Sequence, residues 1–170
     1  MLASLVFLSH TVLGATFTVT TTSDSGAGSL RQAILDATNG TDTIEFQIPG
    51  SPPFTIMPTL ALPRLTSPVI INATTQPGYV DQPVVVLDGT LAGGVVVGLV
   101  VGGGGSTVRG LAINGFTADG IRLDSSGNSI QGNYIGTDST GLTARGNGQY
   151  GVFVLGTSAN LIGLGIQARE

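Results

Sequence analysis

The chain of 170 residues contains no cysteine, no tryptophan and no lysine, and all six of its basic residues are arginine. Without cysteine there is no disulfide scaffold, no thiolate metal site and no thiol nucleophile. Charged residues make up 9% of the chain, and the formal net charge of -4 argues against a basic field that would hold nucleic acid. A single histidine, His10, lies near the start. If that segment is removed, the remaining chain has no imidazole and cannot build a Ser-His-Asp triad. What is abundant is glycine, 27 residues, in a chain that is 41% hydrophobic. Disordered chains carry more charge and fewer aliphatic residues, so a packed fold is expected.

Residues 1–15, "MLASLVFLSHTVLGA", form an apolar run with the length of a signal-peptide core, too short to span a membrane. Val12 and Gly14 suit the -3 and -1 positions for cleavage after Gly14, whereas cleavage after Ala15 places Leu13 at -3. The run lacks a basic start. A longer upstream sequence, or a buried N-terminal strand or helix, is the alternative reading.

From Thr16, "TFTVTTT" alternates as a half-buried strand does, with Phe17 and Val19 on one face. "SLRQAILDATNG" reads as a short helix over residues 29–39. Ser29 and Gln32 fit a capping box, Leu30, Ala33, Ile34 and Ala37 make one apolar face, and Asn39-Gly40 supplies a stop. Strands are expected in "TIEFQIP", "FTIMP", "PVIIN" and "PVVVL", broken by prolines at 49, 52, 53, 58 and 63.

Beyond these the chain repeats itself. "GLVV" at Gly98 returns as "GIRL" at Gly120, and "STVRGLAI" at Ser106 returns as "NSIQGNYI" at Asn128, a period of 22 residues. A third copy, "GVFV" at Gly151 and "NLIG" at Asn160, is displaced by the longer loop "GTDSTGLTARGNGQ". Short strands with Gly/Asn/Ser corners at this period predict an all-β fold: a right-handed parallel β-helix, its coils stacked at the sheet spacing of about 4.8 Å. Alternation turns Leu99 and Val101, Ile121 and Leu123, Val152 and Val154 inward. Val108 should then stack with Ile130 and Ile162, and Ile113 with Ile135. Gly and Asn at the corners are expected to supply left-handed backbone. The domain reading is a leader at 1–15, a cap region at 16–66 whose helix covers the first coil, and coils at 67–170. The chain stops in "LIGLGIQARE", in mid-coil, which reads as a fragment of a longer protein or as an end that meets a partner.

"TFTVTTTSDSGAGSLRQAILDAT", "LTSPVIINATTQPGY" and "GNYIGTDSTG" resemble the N-terminal module of large bacterial surface or secreted proteins that carry a C/G-S-L-R-E/Q-A-I signature. The resemblance runs from Thr16 to about Gly165. It implies a right-handed β-helix of the pectate-lyase-like superfamily within an extracellular or envelope protein. It carries over no catalytic residues. Gly28 stands where those relatives often have cysteine.

Because β-helices host polysaccharide lyases and glycoside hydrolases, Asp119, Asp124, Asp138, Arg109, Arg122 and Arg145 are the candidates for such chemistry. Arg122 and Asp124 point outward together, with no second carboxylate in register, and read as a solvated pair. Asp124 and Asp138 read as Asx-turn residues, with Ca²⁺ ligation the alternative. "VVGGGGSTV" has neither the lysine nor the helix of a phosphate loop and reads as a tight corner. No catalytic residue, metal ligand or cofactor is assigned. Phe116, Tyr134, Tyr150 and Phe153, with Arg109 and Gln131 in register beside Tyr134 and with Arg122, form the candidate binding patch. The first reading is a non-enzymatic, secreted or cell-surface module: a rigid spacer, adhesin-like segment or assembly element, self-associating end to end or meeting a glycan or cell-envelope component. The alternative is a fragment of a carbohydrate-active or glycan-binding protein.

Overall fold

The computed structural model describes residues 13–163. Most of the expected leader, with His10, and residues 164–170 lie outside the described residues. In chain order the elements are β1 (Thr16–Val19), α1 (Leu30–Asp36), β2 (Asp42–Phe46), β3 (Phe54–Ile56), β4 (Val69–Asn72), β5 (Val85–Asp88) and β6 (Leu99–Val101). Then follow β7 (Thr107–Arg109), β8 (Leu111–Asn114), β9 (Ile121–Leu123), β10 (Ser129–Gln131), β11 (Tyr134–Ile135), β12 (Val152–Val154) and β13 (Leu161–Ile162). The protein is therefore all-β with one α-helix among the described residues.

The strands form three parallel sheets. One has the order β1-β2-β4-β7-β10-β13, the second β3-β5-β8-β11 and the third β6-β9-β12. From β4 onward the chain visits the first, second and third sheets in turn and returns to the first. The repeat sets the register: Val108 pairs with Ile130 and Ile130 with Ile162, Ile113 with Ile135, and Leu99 with Ile121 and Ile121 with Val152. β2 and β3 already lie in the first two sheets, and Leu65 bridges to Val101 in the third, so the sheets run unbroken across residue 66. Among the described residues a mainly aliphatic core, with Phe46, Phe54 and Phe116 in it, extends from Val19 to Ile130. Burial of these stacks, at about 25 cal/mol per Å² of apolar surface, is the main favourable term.

α1 begins as expected and ends sooner. Ser29 Oγ accepts the Gln32 N–H at 3.2 Å, but the capping box is half made: Gln32 Nε2 donates to Asp36 instead, and the Ser29 N–H goes to Gly26. The helix stops at Asp36, not at Asn39, because the Asn39 N–H is captured by the Asp42 carboxylate at 2.8 Å. Its buried face, Leu30, Ala33 and Ile34, packs against β1, the edge strand of the six-stranded sheet.

The corners correct one expectation. Glycines such as Gly105, Gly110, Gly127 and Gly132 do take positive φ, but among the described residues no asparagine does. The asparagines instead bridge successive circuits of the three sheets. Asn128 Oδ1 accepts the Ser106 N–H at 3.0 Å, Asn160 Oδ1 accepts the Asn128 N–H at 2.9 Å, and Asn133 Oδ1 accepts the Leu111 N–H at 3.0 Å. They satisfy corner N–H groups that the sheets leave unpaired. Among the described residues no helix is long and apolar enough to cross a membrane.

Candidate binding surface

The outer face of the three-stranded sheet carries a polar and aromatic grouping. Val100, Arg122 and Phe153 lie in register on β6, β9 and β12 and point outward. Arg122 Nε donates to Asp124 Oδ1 at 2.8 Å, and a second guanidinium, that of Arg64, donates to Asp124 Oδ2. Arg64 reaches Asp124 by lying over Gly102, where a Cβ would sit 2.2 Å from its Nε. Only glycine leaves this path open. The Asp124 side chain is 10% exposed, so the expected solvated pair is in fact a covered carboxylate held by two arginines. Burial raises its pKa, but the hydrogen bonds from Arg122 and Arg64 outweigh burial and hold it below the ordinary carboxylate range. The expected Asx turn at Asp124 is also replaced by this pairing.

The guanidinium of Arg122 lies over the Phe153 ring, 5.8 Å from its centroid. Tyr150 stacks on Phe153 with centroids 5.4 Å apart and planes 21° from parallel. The Tyr150 backbone N–H donates to the buried Asp119 carboxylate, which fixes the residue at the sheet corner. The result is an exposed tyrosine backed by a phenylalanine and an arginine.

The remaining patch residues lie elsewhere. Arg109 and Gln131 are paired in the six-stranded sheet, and Tyr134 follows on β11 in the four-stranded one. Arg109 Nε donates to Asn72 Oδ1 at 2.8 Å. Tyr79 lies within electrostatic reach of both Arg109 and Tyr134: burial pushes its phenol up, Asp81 and Tyr134 add to this, and Arg109 opposes it. Tyr134 packs beside Gly141, where a Cβ would lie 2.9 Å from the ring. Phe116 is buried. The single face expected for Tyr134 and Phe153 is thus two separate groups, because alternation tells inside from outside but not which sheet a strand joins.

Asp138 forms the expected Asx turn. Its Oδ1 accepts the Thr140 N–H at 3.0 Å and the Thr140 hydroxyl at 2.6 Å. The hydrogen bond from the Thr140 side chain is the chief cause that lowers its pKa to about 2. The inserted loop is pinned rather than loose. Arg145 donates to the buried Asp88 at 3.2 Å, Asn114 Nδ2 donates to the Thr137 carbonyl at 2.8 Å, and Asn147 Oδ1 accepts the Phe116 N–H at 3.1 Å.

Arg64 and Asp88 were missed in the sequence. Both lie before the regular repeat, and only the register of Leu65 with Val101 brings Arg64 into line with Val100 and Arg122. Among the described residues no three His, Asp or Glu side chains converge as a metal-binding group. A concavity of about 320 Å³ is lined by Thr20–Thr22, Ile48, Pro49, Ser51, Pro53, Phe54 and Thr55, none of them titratable. No family model, curated protein or solved structure matches the chain.

Proposed function

We propose that the chain is a right-handed parallel β-helix module of a secreted or cell-surface bacterial protein, working as a rigid, non-enzymatic element that carries or spaces other parts. The observation that carries this reading is the fixed order in which the chain visits three parallel sheets, with aliphatic residues stacked in register from circuit to circuit. Such a stack is stiff along its axis because each circuit is bonded to the next throughout. The charged groups support the same reading, since Asp24, Asp88 and Asp124 are all tied to arginines in structural pairs. α1 would serve as the cap of the first coil, and the last strands would accept a further coil or a partner. The resemblance to surface proteins with the S-L-R-Q-A-I signature agrees with an extracellular place. Antibody labelling of intact producing cells, together with assay of the medium, tests this. Surface or released protein is expected; a chain confined to the cytoplasm contradicts the reading.

A second reading, glycan binding, draws on the Tyr150–Phe153 stack with Arg122 beside it. A fixed aromatic face next to a guanidinium suits a sugar ring with polar substituents. Titration of the full chain against a panel of cell-envelope polysaccharides tests it. Tyr150→Ala should weaken any binding about tenfold with the fold intact. New reducing ends in the same mixtures would favour the carbohydrate-active alternative over a non-enzymatic module.

A further inference from the structure

Asp42, the first residue of β2, is fully buried. Its two carboxylate oxygens accept the backbone N–H groups of Ala15 and Asn39, each at 2.8 Å. None of the ion pairs among the described residues involves it. A buried carboxylate held only by neutral donors is a costly arrangement that a neighbouring cation would relieve. Cleavage after Gly14, the position its neighbours favour in the sequence, would make the nitrogen bound to Asp42 the new chain terminus. Residue 14 also has to lack a side chain, since a Cβ there would fall 1.9 Å from the Thr41 carbonyl oxygen.

We infer that the chain is processed between Gly14 and Ala15, and that the new α-ammonium of Ala15 docks on Asp42 to complete the start of β1. A signal peptidase of the exporting cell would hydrolyse the Gly14–Ala15 amide with one water. Gly14 leaves with the new carboxylate, and the Ala15 nitrogen becomes an ammonium group. The cation that Asp42 lacks is thereby made by maturation, and a chain that keeps its leader folds without it. The inference rests on the reading of the chain as an exported protein.

The absence of lysine supplies the test, because the α-amine is the only amine in the molecule. The full chain is expressed in an exporting bacterium, and the exported product is sequenced from its N-terminus and weighed intact. It is then labelled with an amine-reactive ester in the folded and the denatured state. The product should begin Ala-Thr-Phe-Thr-Val. Labelling of the folded protein should be slower by about tenfold for each unit by which Asp42 raises the amine's pKa. Asp42→Asn should bring the folded rate up to the denatured one; if that variant does not fold, the wild-type sequence, mass and rate ratio still decide. An exported product that begins at Thr16 or keeps its leader overturns the inference alone, as does a folded amine that labels as fast as the denatured one. A chain that is never exported overturns the secreted reading with it.

Discussion

The first and the last of the described strands are built into the sheets differently. Beside β1 the amphipathic face of α1 closes over the sheet, and Val19, Leu30 and Ile44 are each 0% exposed. In β12 and β13, at the other end of the described residues, the inward positions stay open: Val154 is 39% and Ile162 is 46% exposed. The same column of the same sheet shows both situations, for Ile71 and Val108 are each 0% exposed and Ile130 is 2%. Side-chain type does not separate these positions; the presence of a neighbouring circuit does. An isoleucine in these sheets is worth what the next strand makes of it, and the helix covers the first strands as a neighbouring strand covers those in the middle.

Ile130 and Ile162 should therefore respond very differently to one substitution, and this is the largest effect expected. Ile130→Asp buries an unpaired carboxylate between Val108 and Ile162, costs more than about 4 kcal/mol and abolishes folding. Ile162→Asp faces solvent and should cost under about 0.5 kcal/mol. Circular dichroism and melting of the two variants check the pair; cooperative melting of Ile130→Asp near the wild-type temperature breaks the comparison. Next in size, Leu30→Ala empties a closed site under α1 and should cost about 2–5 kcal/mol, against less than about 0.5 kcal/mol for Leu161→Ala at the open edge. Denaturant midpoints measure both. Ser29→Ala removes the helix N-cap and should cost about 1 kcal/mol, read in the same way.

The smallest effect is at Asp138. Its folded pKa, about 2, lies below the ordinary 3.8. The stabilisation from its turn is therefore fully present above the ordinary value and is lost as the pH falls from about 4 toward 2. A carboxyl titration followed by NMR should give the low value. Asp138→Asn should remove this part of the acid dependence.

Much of this architecture was legible because parallel strands in register oblige like residues to recur. The pairings of Ser106 with Asn128 and of Gly98 with Gly120 fell out of the 22-residue period, and with them the aliphatic columns. Before Gly98 the prolines break the period, so Arg64 carried no sign that it would cross Gly102 to reach Asp124. The corner asparagines were seen but misjudged, because tolerance of positive φ and the capacity to bridge two backbones select the same residue. The patch residues were recognised as outward-facing and then joined wrongly: Tyr134 and Phe153 alternate alike but belong to different sheets. Asp42 gave no signal at all, since its role depends on two backbone N–H groups far apart in the chain.

Hydrogen exchange along the full chain tests most directly the claim that the strands beside α1 are covered while β12 and β13 are not. Exchange from a strand reports the cost of separating it from its neighbours. Amides of β1, β2, β7 and β10 should be strongly protected, protection should fall through β12, and peptides that span β13 should exchange fastest of the strands. Protection of β13 equal to that of β7 would contradict the account, because it would mean that the last strands are covered as fully as the first.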